Sequence, residues 1–99
     1  MSTYVVTRHK GALDWLTQEG FLFDAHIAHL DISSLVAGDV VVGNLPIPMV
    51  AELTNKQVRY WHLAFDVPFE LRGQELTAAQ LRTLGISLKS YCVTEVLNQ

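Results

Sequence analysis

Hydrophobic residues along this chain follow two rhythms. Short β-branched runs alternate with stretches in which apolar positions recur every three or four residues. Tyr4, Val5 and Val6 centre a strand predicted over residues 3–7, apolar on both faces and therefore buried on both. Ala12, Leu13, Trp15 and Leu16 mark a helix over 11–19, with Gly20 where a helix C-terminal glycine belongs. A second strand is expected at about residues 25–30 and a valine-rich third at 39–45. Pro46 and Pro48 open a short helix through about Leu53, because proline is tolerated in a first helical turn. Residues 57–67 read as a long aromatic fourth strand. Thr77 and Gln80 have the spacing of a capping box, with Leu76 and Leu81 as its hydrophobic staple, so a helix starts there and ends at Gly85. Tyr91 to Leu97 reads as a last strand.

Strand, helix, strand order with continuously apolar strands implies an α/β fold. The expectation is a small Rossmann-like, mostly parallel sheet flanked by helices, formed as one domain over residues 1–99 with right-handed crossovers. Ligands of such sheets bind beyond the carboxyl ends of the strands. That rule selects three segments: residues 7–12, 31–34 and 44–48.

Composition narrows the function classes. Of the 99 residues 49% are hydrophobic and only 17% charged, which is more apolar surface than so short a chain easily covers alone. A two-fold homodimer is the simplest remedy. Asp39, Pro46 and Pro48 interrupt the longest apolar stretch, so no membrane span is expected, and the first residues lack the layout of a signal peptide. One cysteine, Cys92, gives neither a disulfide framework nor a cysteine-based zinc site and fits a reducing cytoplasm; in an apolar strand it is expected to be a buried, inert thiol. The formal net charge of −3 argues against a binder of duplex DNA or RNA, though not against a small nucleotide.

The turn after the first strand is the most chemical stretch. Arg8, His9 and Lys10 stand in a row ahead of Gly11, at the sheet edge where ligands bind. Neither Lys10 nor Gly11 carries a capping oxygen, so the first N–H groups of the helix, out to Ala12, are free for an external anion of the sign the helix dipole favours. Gly11 would let the backbone approach a phosphate closely, and Thr7 would orient the phosphate or the turn. The alternative is a solvated polar turn in which Arg8, His9 and Lys10 face water. Asn44 past the third strand is a further ligand candidate, weighed against a role in closing the turn before Pro46. Arg72 in the loop beside Gly73 is another, weighed against a solvated arginine.

These residues also carry a resemblance. Residues 4–16, YVVTRHKGALDWL, resemble the start of a small CRISPR-associated accessory family that accompanies type III systems, whose members are regarded as ring nucleases related to CARF domains. Residues 39–46, DVVVGNLP, and 71–77, LRGQELT, resemble its later segments, so the likeness spans nearly the whole chain. The resemblance implies a CARF-like dimer that binds a cyclic oligoadenylate, in the first instance cyclic tetra-adenylate. It also implies metal-independent cleavage by the ribose 2′-hydroxyl, which switches off the antiviral signal, and no cofactor. On that reading Arg8 neutralises developing phosphoryl charge, Lys10 holds a neighbouring phosphate, and His9 moves a proton. A non-catalytic sensor or sponge of the same ligand, or a protein-interaction accessory, are the alternatives.

Other candidates have plainer readings. His26 and His29 lie three apart on a predicted strand, hence on opposite faces, so they suit no metal; one is expected to pack in the core and the other to face a helix. Arg59, Trp61, Leu63 and Phe65 share one face, which suggests packing or a dimer interface over nucleic-acid stacking.

Overall fold

The computed structural model describes Met1 to Leu97. One sheet holds five strands: β1 (Thr3–Val6), β2 (Ala25–Ile27), β3 (Val40–Gly43), β4 (Arg59–Ala64) and β5 (Ser87–Ser90). Three helices, α1 (Lys10–Gln18), α2 (Ile47–Asn55) and α3 (Ala78–Thr83), connect them, with 3-10 turns at Ile32–Ser34 and Phe69–Leu71. The spatial order is β2-β1-β3-β4-β5; the first four strands run parallel and β5 is antiparallel at the edge. This is the small Rossmann-like α/β architecture that the apolar pattern predicts.

Register assigns the faces. Val5 pairs with Val42 and Val42 with Trp61, and with Leu63 they build one core under α1 and α3, where Leu16, Leu76 and Leu81 bury their side chains. Tyr4 pairs with Val41 and Val41 with Tyr60, on the opposite face under Val50 and Leu53 of α2. Each fully buried leucine or valine contributes about 1.5–3 kcal/mol, so both faces are needed. Trp61, Leu63 and Phe65 therefore belong to this chain's own core, while Arg59 is exposed. Packing accounts for part of that aromatic face, with Trp61 and Phe65 still partly exposed.

The predicted capping box forms in full. Thr77 Oγ1 accepts from the Gln80 N–H at 3.2 Å, and Gln80 Oε1 accepts from the Thr77 N–H at 2.9 Å. Gly85 then turns out of α3 with φ +80°, and Ile86 drops straight into the core.

That drop corrects the last strand. The strand expected over 91–97 lies at Ser87–Ser90 instead, and residues 91–97 form no strand. Burying Ile86 brings the chain into the sheet directly after α3, and an edge strand paired on one side needs only the partly buried Ser87 and Leu88 to anchor it. Residues 91–97 cross to the other face, where the Val93 N–H donates to Thr54 Oγ1 at 3.0 Å. Cys92 consequently is exposed rather than buried. The edge strand β2 is likewise shorter than predicted, since its partner β1 ends at Val6. His29 falls beyond it, and both His26 and His29 are exposed rather than in the core.

Candidate phosphate-binding cleft

In this strand order the chain leaves β1 toward β2 on one side, whereas β3 lies on the other. The gap between the carboxyl ends of β1 and β3 is thus the topological switch point, where connections diverge and leave a crevice. A cleft of about 330 Å³ opens there, lined by Val6, Thr7, Arg8 and His9 after β1, Asn44 and Leu45 after β3, Ala28 after β2, and Leu63 and Phe65. Gly43 makes the crevice possible: a Cβ there would lie 2.8 Å from the Val6 carbonyl oxygen.

Four of the candidates read from sequence, Thr7, Arg8, His9 and Asn44, meet in this cleft. Thr7 Oγ1 accepts the His9 N–H at 3.1 Å, closing a tight turn and keeping the hydroxyl proton for another acceptor. Arg8 is exposed, with its guanidinium in no hydrogen bond among the described residues. The His9 ring stands edge-on to Phe65, with centroids 5.4 Å apart. As N-cap of α1, His9 has extended backbone and makes no side-chain cap, which leaves the helix start open beside the cleft. Asn44 Nδ2 donates to the Leu63 carbonyl at 3.1 Å, so its side chain clamps β3 to β4 while its carbonyl oxygen remains available.

The other four candidates do not line the cleft. Lys10 and Gly11 border a separate depression with Asp14, Glu75 and Thr77. Gly11 serves packing: a Cβ there would overlap the Leu76 carbonyl, so glycine is what lets α1 close on the segment before α3. Ala12 is fully buried in the core and its N–H donates to the His9 carbonyl at 3.0 Å, leaving nothing for a ligand. Arg72 is exposed in its loop, where Nε donates to the Val67 carbonyl at 3.4 Å.

The role of one residue beside this site escaped the sequence reading, which expected it in the core or against a helix. His26 on β2 donates from Nε2 to the Thr7 carbonyl at 2.6 Å, holding the peptide that carries Arg8. A carbonyl only accepts, so Nε2 carries the proton. The signal that could have found it is the parallel register, which sets His26 beside Val5 and near the β1–α1 turn.

Among the described residues no group of three or more His, Cys, Asp or Glu could hold a metal ion, and no helix is long and apolar enough to cross a membrane. In comparison with known proteins, residues 4–94 match the model of a family described as "Putative CRISPR-associated protein (Cas_VVA1548)". No curated protein and no solved structure matches the chain.

Proposed function

The chain belongs to this family of CRISPR-associated proteins, and on that premise we propose that it is a ring nuclease of a cyclic oligoadenylate messenger. The observation that carries the reading is the convergence of Thr7, Arg8, His9 and Asn44 on one cleft at the β1/β3 switch point. A phosphodiester placed there meets the guanidinium of Arg8, the hydroxyl of Thr7 and the ring of His9. These are donors suited to the charge that develops on non-bridging oxygens.

In the reaction the ribose 2′-oxygen bonds to the adjacent phosphorus as its proton departs, and the bond from phosphorus to the 5′-oxygen breaks. The 5′-oxygen takes up a proton, leaving a 2′,3′-cyclic phosphate and a 5′-hydroxyl. His9 carries a proton in this exchange, because an imidazole nitrogen can both accept and release one and its ring stands at the cleft wall. Holding the ring in an in-line geometry supplies much of the remaining acceleration. A two-fold dimer offers a symmetric ring the same turn twice, which is why a homodimer forms part of the proposal.

Incubating the protein with cyclic tetra-adenylate in excess EDTA and separating the products by chromatography tests this. Linear products with cyclic-phosphate ends, in excess over protein, support the proposal. An intact ring retained by the protein would reduce it to a sensor or sponge. An intact ring that is not retained would sink it and favour a protein-interaction role.

A further inference from the structure

A second pocket, of about 230 Å³, lies on the α2 face of the sheet and shares Leu45 with the phosphate cleft. Its walls are apolar: Leu45 and Ile47 at the start of α2, and Val93 from the segment that crosses over after β5. Ile47 is 67% exposed and Tyr91 49% exposed, so two large apolar side chains stand open on the rim of one pocket. The polar groups are Tyr60 and His62, successive same-face residues of β4.

Proton counting fixes their chemistry. The Tyr60 hydroxyl touches three partners: the Leu45 N–H at 2.9 Å, the Gly43 carbonyl at 2.9 Å and His62 Nδ1 at 2.7 Å. Leu45 donates to it, and the single phenolic proton goes to Gly43, whose carbonyl only accepts. Burial pushes the Tyr60 pKa up, against the opposing effect of the Leu45 hydrogen bond, so that proton stays on the phenol. With the phenolic proton assigned to Gly43, the third bond is made by a proton on His62 Nδ1. In the neutral ring this leaves Nε2 as a bare acceptor, without a hydrogen bond among the described residues. The His62 ring packs edge-on against Tyr91, with centroids 5.9 Å apart.

We propose that this pocket is a nucleobase site for an amine-bearing purine, with His62 Nε2 accepting from the exocyclic amine and Tyr91 supplying the stacking face. Apolar walls suit a flat ring, one acceptor suits one donor, and Leu45 makes the pocket continuous with the cleft read as the phosphate site; that the ring is a purine comes from the oligoadenylate of the proposed function. The inference rests on that nucleotide reading and gives it base selectivity, since a base without a donor would leave Nε2 desolvated and unpaired.

The test is titration of the full chain at pH 8 with adenosine 5′-monophosphate and with purine riboside 5′-monophosphate, which lacks only the amine. Nitrogen-15 spectra of the His62 ring are followed throughout. Protonated Nδ1 and bare Nε2 in the free protein are expected, with the Nε2 signal moving on addition of the adenosine nucleotide. The purine riboside nucleotide should bind about tenfold more weakly, and His62→Phe should abolish that difference. Tyr91→Ala, at a half-exposed position whose backbone bond to the Tyr60 carbonyl is kept, should weaken the adenosine nucleotide about tenfold. Equal affinity for the two nucleotides in the unmodified protein, or a proton on Nε2 in the free protein, would overturn the proposal. Adenosine nucleotide bound at His62 by a protein that never opens the cyclic ring would leave the pocket standing and remove only the nuclease. Ring opening by His62→Phe with an unchanged KM would do the reverse.

Discussion

Arg8 is the side chain on which the phosphate reading turns, because it is the cleft's fixed positive charge and has no hydrogen-bond partner among the described residues. Arg8→Ala is expected to weaken binding of cyclic tetra-adenylate and to lower kcat/KM about a hundredfold, as loss of one charged transition-state donor does. A folded Arg8→Ala protein with ordinary turnover would remove Arg8 from the mechanism. Gly11, in the same sequence motif, separates packing from chemistry. Gly11→Ala forces a methyl onto the Leu76 carbonyl and should destabilise the fold by about 1–3 kcal/mol, read as a lowered denaturation midpoint with or without ligand. Had Gly11 been there for a phosphate, the substitution would change affinity and spare stability. That the motif RHKG borders a cleft at the sheet edge was legible, but which of its residues face the cleft and which pack was not. Spacing places four residues in one turn, whereas the neighbours of His9 and Gly11, Phe65 and Leu76, come from segments far along the chain.

At the scale of elements, α3 shows how far local signals reach. Its capping box satisfies two N–H groups that the helix cannot satisfy itself, and the motif is contained within four residues. Thr77→Ala should cost about 1 kcal/mol, measured by chemical denaturation, and should leave ligand binding unchanged because Thr77 lies outside the cleft. The same local logic fails at the next strand. Tyr91 to Val96 has more β-branched and aromatic character than Ser87 to Ser90, yet the latter pairs with β4. β-Propensity measures fit to a half-buried surface, and which segment is offered that surface depends on where α3 ends. β2 makes the same point from the other side: a longer apolar stretch yields a three-residue strand because its partner is short.

For the whole molecule, two properties are exposed to measurement. Asp39, buried at the amino end of the sheet, accepts from the Val36 N–H at 3.0 Å and the Ser2 N–H at 2.9 Å. Those bonds, Val36 first, hold its pKa below the ordinary value against the opposing effect of burial, with smaller help from the N-terminus and Lys56. A lowered folded pKa gives stability that is present above the unfolded value of about 4 and is lost as pH falls through the folded one. Asp39→Asn should therefore lower the melting temperature at neutral pH and flatten its decline in acid, as scanning calorimetry over a pH series would show. The second property is assembly. The proposed dimer predicts twice the chain mass by sedimentation equilibrium at micromolar concentration, and a monomer that still cleaves the ring would separate catalysis from two-fold symmetry.

The sequence by itself determined what is local or periodic: the α/β alternation, the two-faced burial of β1 and β3, the α3 cap, and the basic turn at the end of β1 where such sheets bind ligands. These were legible because each depends on residues within one or two turns of chain. Only the tertiary structure decided which elements sit side by side. It set β1 between β2 and β3 and so opened the cleft, and it brought His26 to the Thr7 carbonyl. It turned Gly11 and Ala12 inward, exposed Cys92, and joined Tyr60, His62 and Tyr91 around one pocket. The reason is that strand order, close approach and the count of hydrogen-bond partners are relations between distant segments, and no pattern within a single segment contains them.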